Sequence, residues 1–136
     1  MIIRNRHTVV PVEWGNGQSY RLLLARDGMG FAVAHTIVTA GTESRLQYRE
    51  HLEACYCISG RGAVRTADGA RTHILEPGTI YALDQNDAHV LIADPGEDMH
   101  LISVFNPPIH GQERHTLTDD GFSHYESAEI AEAVQA

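Results

Sequence analysis

Glu53 lies in HLEACYCISGRG (residues 51–62), a stretch that otherwise reads as a buried strand running into a glycine turn. Side chains alternate along a strand, so Glu53, Cys55 and Cys57 share one face while Tyr56 and Ile58 take the other. An inward carboxylate needs a compensating partner. His89 closes a second stretch, PGTIYALDQNDAH (residues 77–89), and Tyr81 stands eight residues before it, on the strand pattern leading into the same turn. Together Glu53, Tyr81 and His89 offer a carboxylate, a phenolate and an imidazole. Such an O/N set suits Fe(II), and also Zn, Mn or Co, and three protein donors leave positions open for water or a substrate. Taken singly, each residue has a plainer reading: Glu53 in an ion pair or at a wet barrel mouth, Tyr81 packed with its hydroxyl bonded. Cys55 and Cys57 could serve a softer metal beside Glu53, but buried free cysteine is commonly a small core hydrophobe, and that is the expectation for both.

The other histidines carry less. Of nine in the chain, His7, His51, His73, His110 and His124 read as surface or hydrogen-bonded residues, and His35 and His100 sit within strand patterns that favour neither reading. GRGAVR has Gly60 and Gly62 but no third glycine and no helix after it, which excludes a dinucleotide loop. Ser59 lacks a nucleophile-elbow setting, and Asp84 and Asp87 read as turn residues.

The elements that must position these groups are strands. Short apolar runs alternate with turn signals at Asp27-Gly28, Asp68-Gly69, Pro77-Gly78, Asn86-Asp87 and Pro95-Gly96, the pattern of an all-β sandwich or barrel. Only the tail, residues 126–136, has helical spacing, with Ile130 and Val134 four apart behind Ser127. It is too short to be stable alone and is expected as a docked helix or tail. At 136 residues the chain reads as a single domain over 1–136 with a barrel core at about 17–115. A formal charge of -8, with no run of Lys or Arg, argues against nucleic acid and anionic membranes. Arg4, Arg6 and Glu13 interrupt the first apolar residues, so no signal-peptide core is legible. Cys55 and Cys57 are two apart on one strand, where mutual pairing strains the backbone; a reduced, cytoplasmic protein is expected. A homodimer is the default assembly.

Gly41, Glu53 and Gly60, followed by the block from Pro77 to His89, match the spacing of the two motif blocks of the cupin barrel, a double-sheet jelly roll whose inward faces meet in a pocket. That joint spacing favours the metal reading of Glu53, Tyr81 and His89 over the plainer ones. Many cupins carry an HxH unit in the first block. Here the place reads Gln47-Tyr48-Arg49.

More narrowly, RLLLARDGMGF, AGTE, HLEACYCISGRG, PGTIYALDQNDAH, VFNPP and GQERH occur in the order of the corresponding segments of ectoine synthases, so the chain resembles that family over about residues 17–125. The resemblance implies a cupin-type double-stranded β-helix and an Fe(II) ion held at Glu53, Tyr81 and His89. It also implies a hydro-lyase that cyclises N-γ-acetyl-L-2,4-diaminobutyrate, a small acylated diamino acid, with loss of water. Arg21, Thr36, Tyr48, Phe105, Glu113 and His115 match the family's substrate pocket, and Tyr48, Glu113 and His115 its catalytic groups. The chain departs from the family at Gly17, where a tryptophan usually stands four residues before the arginine, at Ala34, and at Asn86. Trp14 lies three positions before Gly17. Two other readings accompany this one: a different metal enzyme on the same barrel, such as a dioxygenase or isomerase, and a non-catalytic small-molecule-binding cupin.

Overall fold

A computed structural model describes residues 1–117 and 121–125; the expected helix or tail at 126–136 lies outside the described residues. Nearly all ordered backbone is strand. Val12–Glu13 (β1), Gln18–Leu23 (β2), Ala32–Val38 (β3), Leu52–Ser59 (β5), Ile80–Leu83 (β8) and Met99–Asn106 (β10) form one sheet in the order β1-β2-β3-β10-β5-β8. Glu43–Gln47 (β4), Gly62–Thr66 (β6), Thr72–Leu75 (β7), His89–Ala93 (β9), His115–Leu117 (β11) and Ser123–Tyr125 (β12) form the second, ordered β11-β12-β4-β9-β6-β7. From β3 to β10 the chain passes back and forth between the sheets. The two face each other as the double-stranded β-helix of a jelly roll.

The alternation read from sequence sets which side chains line the interior. On β10, Met99, Leu101, Ser103 and Phe105 are buried. On β5, Glu53, Cys55 and Cys57 are buried while Tyr56 and Ile58 are exposed. At Gly60, φ is +78° and a Cβ would lie 2.4 Å from the Asp98 carbonyl oxygen, so only glycine lets the chain leave β5 for the other sheet here. The strands extend past the expected 17–115 span at both ends, because β1 pairs with β2 and the β11–β12 hairpin adds to β4, through a parallel contact that pairs Ser123 with Leu46 and His124 with Gln47. Among the described residues, no helix is long and apolar enough to cross a membrane.

Candidate metal centre and substrate pocket

Strand register brings the inward groups together. Glu53 on β5 sits between Phe105 of β10 and Leu83 of β8, and Cys55, two residues on, sits between Ser103 and Tyr81. Tyr81 and Glu53 are thus diagonal neighbours on one face, within reach for long side chains. His89 opens β9 on the opposite sheet, in register with Leu46 and Thr66. Its ring centroid lies 6.3 Å from that of Tyr81.

His89 is oriented as metal-binding histidines are. Its Nδ1 is 2.9 Å from the Asp87 carbonyl oxygen; a carbonyl only accepts, so Nδ1 carries the hydrogen and Nε2 keeps its lone pair. That Nε2 is buried and has no hydrogen-bond partner, a costly condition for a polar atom. Burial lowers the affinity of the ring for a proton, which keeps the lone pair free. Burial also pushes the Glu53 carboxyl up to about 8, only partly offset by hydrogen bonds with Cys55 and Tyr48. The Tyr81 phenol is raised well above its ordinary value by the same desolvation. A cation between them would reverse both penalties. Among the described residues no three His, Cys, Asp or Glu side chains form a metal-binding group, so a mononuclear site held at Glu53 and His89 would need a donor of another type, such as the Tyr81 oxygen. The donors fit an O/N-preferring divalent ion.

The pocket residues sit around the same interior. The Arg21 side chain on β2 is almost fully buried: its Nε donates to Ser19 Oγ at 3.2 Å and one Nη to the Tyr125 hydroxyl at 3.3 Å. Its other Nη is buried with no hydrogen-bond acceptor and lies 4.0 Å from Glu113 Oε1. Both Glu113 oxygens accept backbone N–H groups, from His110 and Gly111, each at 2.7 Å. Burial alone would raise this carboxyl, but those two donors and Arg21 bring it below its ordinary value. His115 Nε2 is 3.1 Å from the Tyr48 hydroxyl and its Nδ1 3.3 Å from the Ser123 carbonyl oxygen, so Nδ1–H donates and Nε2 accepts from Tyr48. Desolvation, with Arg21 and His89 nearby, drops His115 to about 3. Thr36 meets Ser103, Oγ1 to Oγ 2.9 Å, and the Phe105 ring packs edge-on against Tyr48 at 5.4 Å.

Several residues in this interior were not picked out by motif. The Tyr125 ring lies tilted over His115 at 4.4 Å and edge-on to Tyr48 at 4.8 Å, and no local pattern marks a tyrosine near the end of a loop-rich segment. Ser103 could have been found, as the one hydroxyl at an inward position of MHLISVFN. Trp14 is buried and lines the cavity with Thr36, Tyr48, Glu53 and Tyr81, so an aromatic wall persists although Gly17 lacks a side chain. The cavity measures about 20 Å³, room for about one water-sized species. A larger cleft of about 440 Å³ opens beside Tyr81 and His89, between the β6–β7 turn and the β8–β9 turn.

Fold and site together define a small cupin barrel with an inward O/N donor set. The family model for ectoine synthase matches residues 1–127, and the chain belongs to the ectoine synthase family. It is 48% identical over 106 residues to the L-ectoine synthase of Desulfatibacillum aliphaticivorans, covering 78% of this chain and 80% of that one. It is 48% identical over 108 residues to that of Halalkalibacterium halodurans, covering 79% and 82%. The crystal structure of ectoine synthase from P. lautus superposes with a TM-score of 0.76 at 39% identity, covering 82% of this chain and 81% of that one.

Proposed function

We propose that this chain is a hydro-lyase that closes N-γ-acetyl-L-2,4-diaminobutyrate to ectoine with loss of water. One observation carries the reading to this substrate class: the interior holds a buried arginine Nη with no hydrogen-bond acceptor and a buried imidazole nitrogen with no donor. A ligand with a carboxylate for Arg21 and a carbonyl that can bind a cation at Glu53, Tyr81 and His89 answers both demands. An N-acetylated amino acid has those groups, and its entry requires the interior to widen beyond the present room for about one water-sized species.

An amide carbonyl is a poor electrophile, and the attacking α-amine must be neutral. Fe(II), or Zn, Mn or Co, held by Glu53, Tyr81 and His89 would polarise the acetamide carbonyl as a Lewis acid. Arg21 holds the carboxylate through its one unpaired Nη, which folds the chain so that the α-nitrogen faces the carbonyl carbon. Trp14 and Phe105 keep bulk water from the reacting atoms. Tyr48 and His115 handle protons: the imidazole is neutral, its Nε2 takes the Tyr48 hydrogen bond, and that hydroxyl lies beside Glu53. Glu113, with both oxygens committed to backbone N–H groups, sets Arg21 and keeps the amine region anionic, a role of charge more than of proton exchange.

The test is an anaerobic assay of Fe(II)-loaded protein with N-γ-acetyl-L-2,4-diaminobutyrate, following ring protons by NMR, with the α-acetyl isomer as control. Ring closure of the γ-isomer alone is expected; turnover of neither isomer by metal-loaded protein would overturn the assignment.

We also infer a homodimer, formed through the outer face of the β10-β5-β8 sheet. Leu52, Tyr56, Ile58, Ile80 and Val104 are exposed there, and no outward position of these strands carries a formal charge in a chain of net charge -8. Two such faces can meet without opposing like charges. Tyr56→Glu should yield a monomer by light scattering. A cytoplasmic setting, in which Cys55 and Cys57 remain thiols, accompanies this reading.

A further inference from the structure

We propose that Cys55 is a positioning residue of the metal centre: its thiol bridges Tyr81 and Glu53 and is itself anchored by Ser103 and Thr36. The inference rests on the metal reading above and adds a residue to it.

Register places Cys55 directly opposite both Tyr81 on β8 and Ser103 on β10. All three side chains therefore point into the barrel at one level, with Glu53 one inward position away. The Cys55 Sγ lies 3.4 Å from Ser103 Oγ, and Ser103 Oγ is 2.9 Å from Thr36 Oγ1. Tyr81 and Glu53 line the same small cavity as Cys55, Ser103 and Thr36. Cys55 and Ser103 are each only 1% exposed, so bulk water does not reach them.

A cysteine that merely filled the core would face apolar neighbours. This one sits in the apolar cluster with Leu91 and Leu101 but turns its sulfur to the Ser103 hydroxyl, with Tyr81 directly opposite and Glu53 two residues back on the same face. The third donor, His89, lies across the interior with its Nε2 unsatisfied. A sulfhydryl can accept from one oxygen while donating to another, which suits a bridge between a phenol and a carboxylate. Tyr81 and Glu53 carry flexible side chains on adjacent strands, and the bridge holds their oxygens side by side before a cation arrives. Groups that orient ligands in this way typically change metal affinity by about 10–100-fold when removed. The chain Thr36–Ser103–Cys55 also joins the pocket wall to the metal donors.

Co(II) titration of metal-free protein tests this, followed by visible and near-ultraviolet absorption. Wild type is expected to bind without a thiolate-to-cobalt charge-transfer band, since the sulfur bridges donors and is not one. Cys55→Val, which keeps the shape and removes the hydrogen bonds, should bind about tenfold more weakly or worse, and Cys55→Ser should recover most of that loss. Ser103→Ala leaves the sulfur in place and frees it, and should weaken binding to a smaller extent; it carries the test if Cys55→Val does not fold. Wild-type affinity in Cys55→Val, equal losses in the Ser and Val variants, or a sulfur band in wild type would each overturn the proposal while leaving the metal centre standing. A wild-type chain that takes up no Co(II) would overturn the metal reading and this inference with it.

Discussion

The Arg21 guanidinium and the Glu113 carboxylate lie 4.0 Å apart with 3% and 1% of their side chains exposed. Burying two charges costs several kcal/mol per ion before pairing repays it, so a buried pair is weak support for stability as such. Here the pairing is incomplete. Glu113 spends its two oxygens on the His110 and Gly111 amides, and one Arg21 Nη keeps a hydrogen without an acceptor. That spare donor is where a substrate carboxylate is expected. Arg21→Lys keeps the charge and loses the fork; KM should rise at least about tenfold with a smaller change in kcat, the mark of lost uniform binding. Steady-state kinetics on the metal-loaded variant decides it, and an unchanged KM would remove Arg21 from the carboxylate site.

The donor set makes a second prediction, independent of turnover. Glu53→Ala, Tyr81→Phe and His89→Ala should each lower the metal bound after dialysis while the far-ultraviolet signature of the barrel persists. Metal analysis of the three purified variants checks this. Retention of a full equivalent in all three would place the ion elsewhere.

A third concerns pH. In the metal-free protein the Glu53 carboxyl stands at about 8, against 4.5 for an ordinary glutamate. A raised folded-state value means that the folded protein holds a proton the unfolded chain has released. The stabilisation is therefore complete below about pH 4.5 and is lost as pH climbs to about 8, with a slope of at most about 1.4 kcal/mol per pH unit. Thermal midpoints of metal-free protein should fall over that window more steeply for wild type than for Glu53→Gln, which has no proton to lose. Parallel curves would mean that Glu53 is not the group responsible.

How much of this could be read beforehand depended on whether the physics was local. The inward direction of Glu53 and the outward direction of Tyr56 follow from strand period alone, as does the burial of Leu101 and Phe105. Turn residues at Asp68-Gly69 and Asn86-Asp87 announced where strands end. What period cannot encode is which strands become neighbours. Cys55 read as core packing, and it is buried, but its sulfur meets Ser103 only because β5 and β10 pair in one register. Tyr125 reaches Arg21 through a parallel pairing of β12 with β4 that no turn signal marks. Glu113 is engaged by backbone N–H groups of its own loop, a geometry that depends on how the loop folds.

Asn86, which reads as a simple loss of a family histidine, has a structural task. It is the one non-glycine residue with positive φ among those described, at +53°, and asparagine tolerates that region better than most. Its Nδ2 lies 2.9 Å from the Tyr48, 3.3 Å from the Arg49 and 3.1 Å from the His51 carbonyl oxygens, which ties the β8–β9 turn to the loop carrying Tyr48. Asn86→Gly keeps the backbone geometry and loses these bonds, for a cost of about 1–3 kcal/mol. Asn86→Ala should lose about 1 kcal/mol more from left-handed strain. Chemical denaturation of the pair separates the two terms, and equal stabilities would show that the turn bears no strain.

Gly17 and Trp14 meet at one atom, the Ile37 carbonyl oxygen. The indole Nε1 donates to it at 3.0 Å, and a Cβ on Gly17 would sit 1.9 Å from it, at a φ of +152° that side chains rarely adopt. The bare glycine is thus what lets β2 lie close enough to β3 for Trp14 to fold in and line the cavity. Placing a tryptophan at position 17 would not rebuild the family's aromatic wall; it would drive the carbonyl away and expel the one already there. Gly17→Ala is the smallest form of that test. It should cost several kcal/mol through overpacking and backbone strain and shift the emission of the chain's single tryptophan to the red as the indole meets water. Trp14→Phe, which keeps a ring but not the hydrogen bond, should fold and raise KM. A Gly17→Ala protein with unshifted emission would mean that the two strands can part without releasing Trp14, and the coupling between this departure and the pocket would be lost.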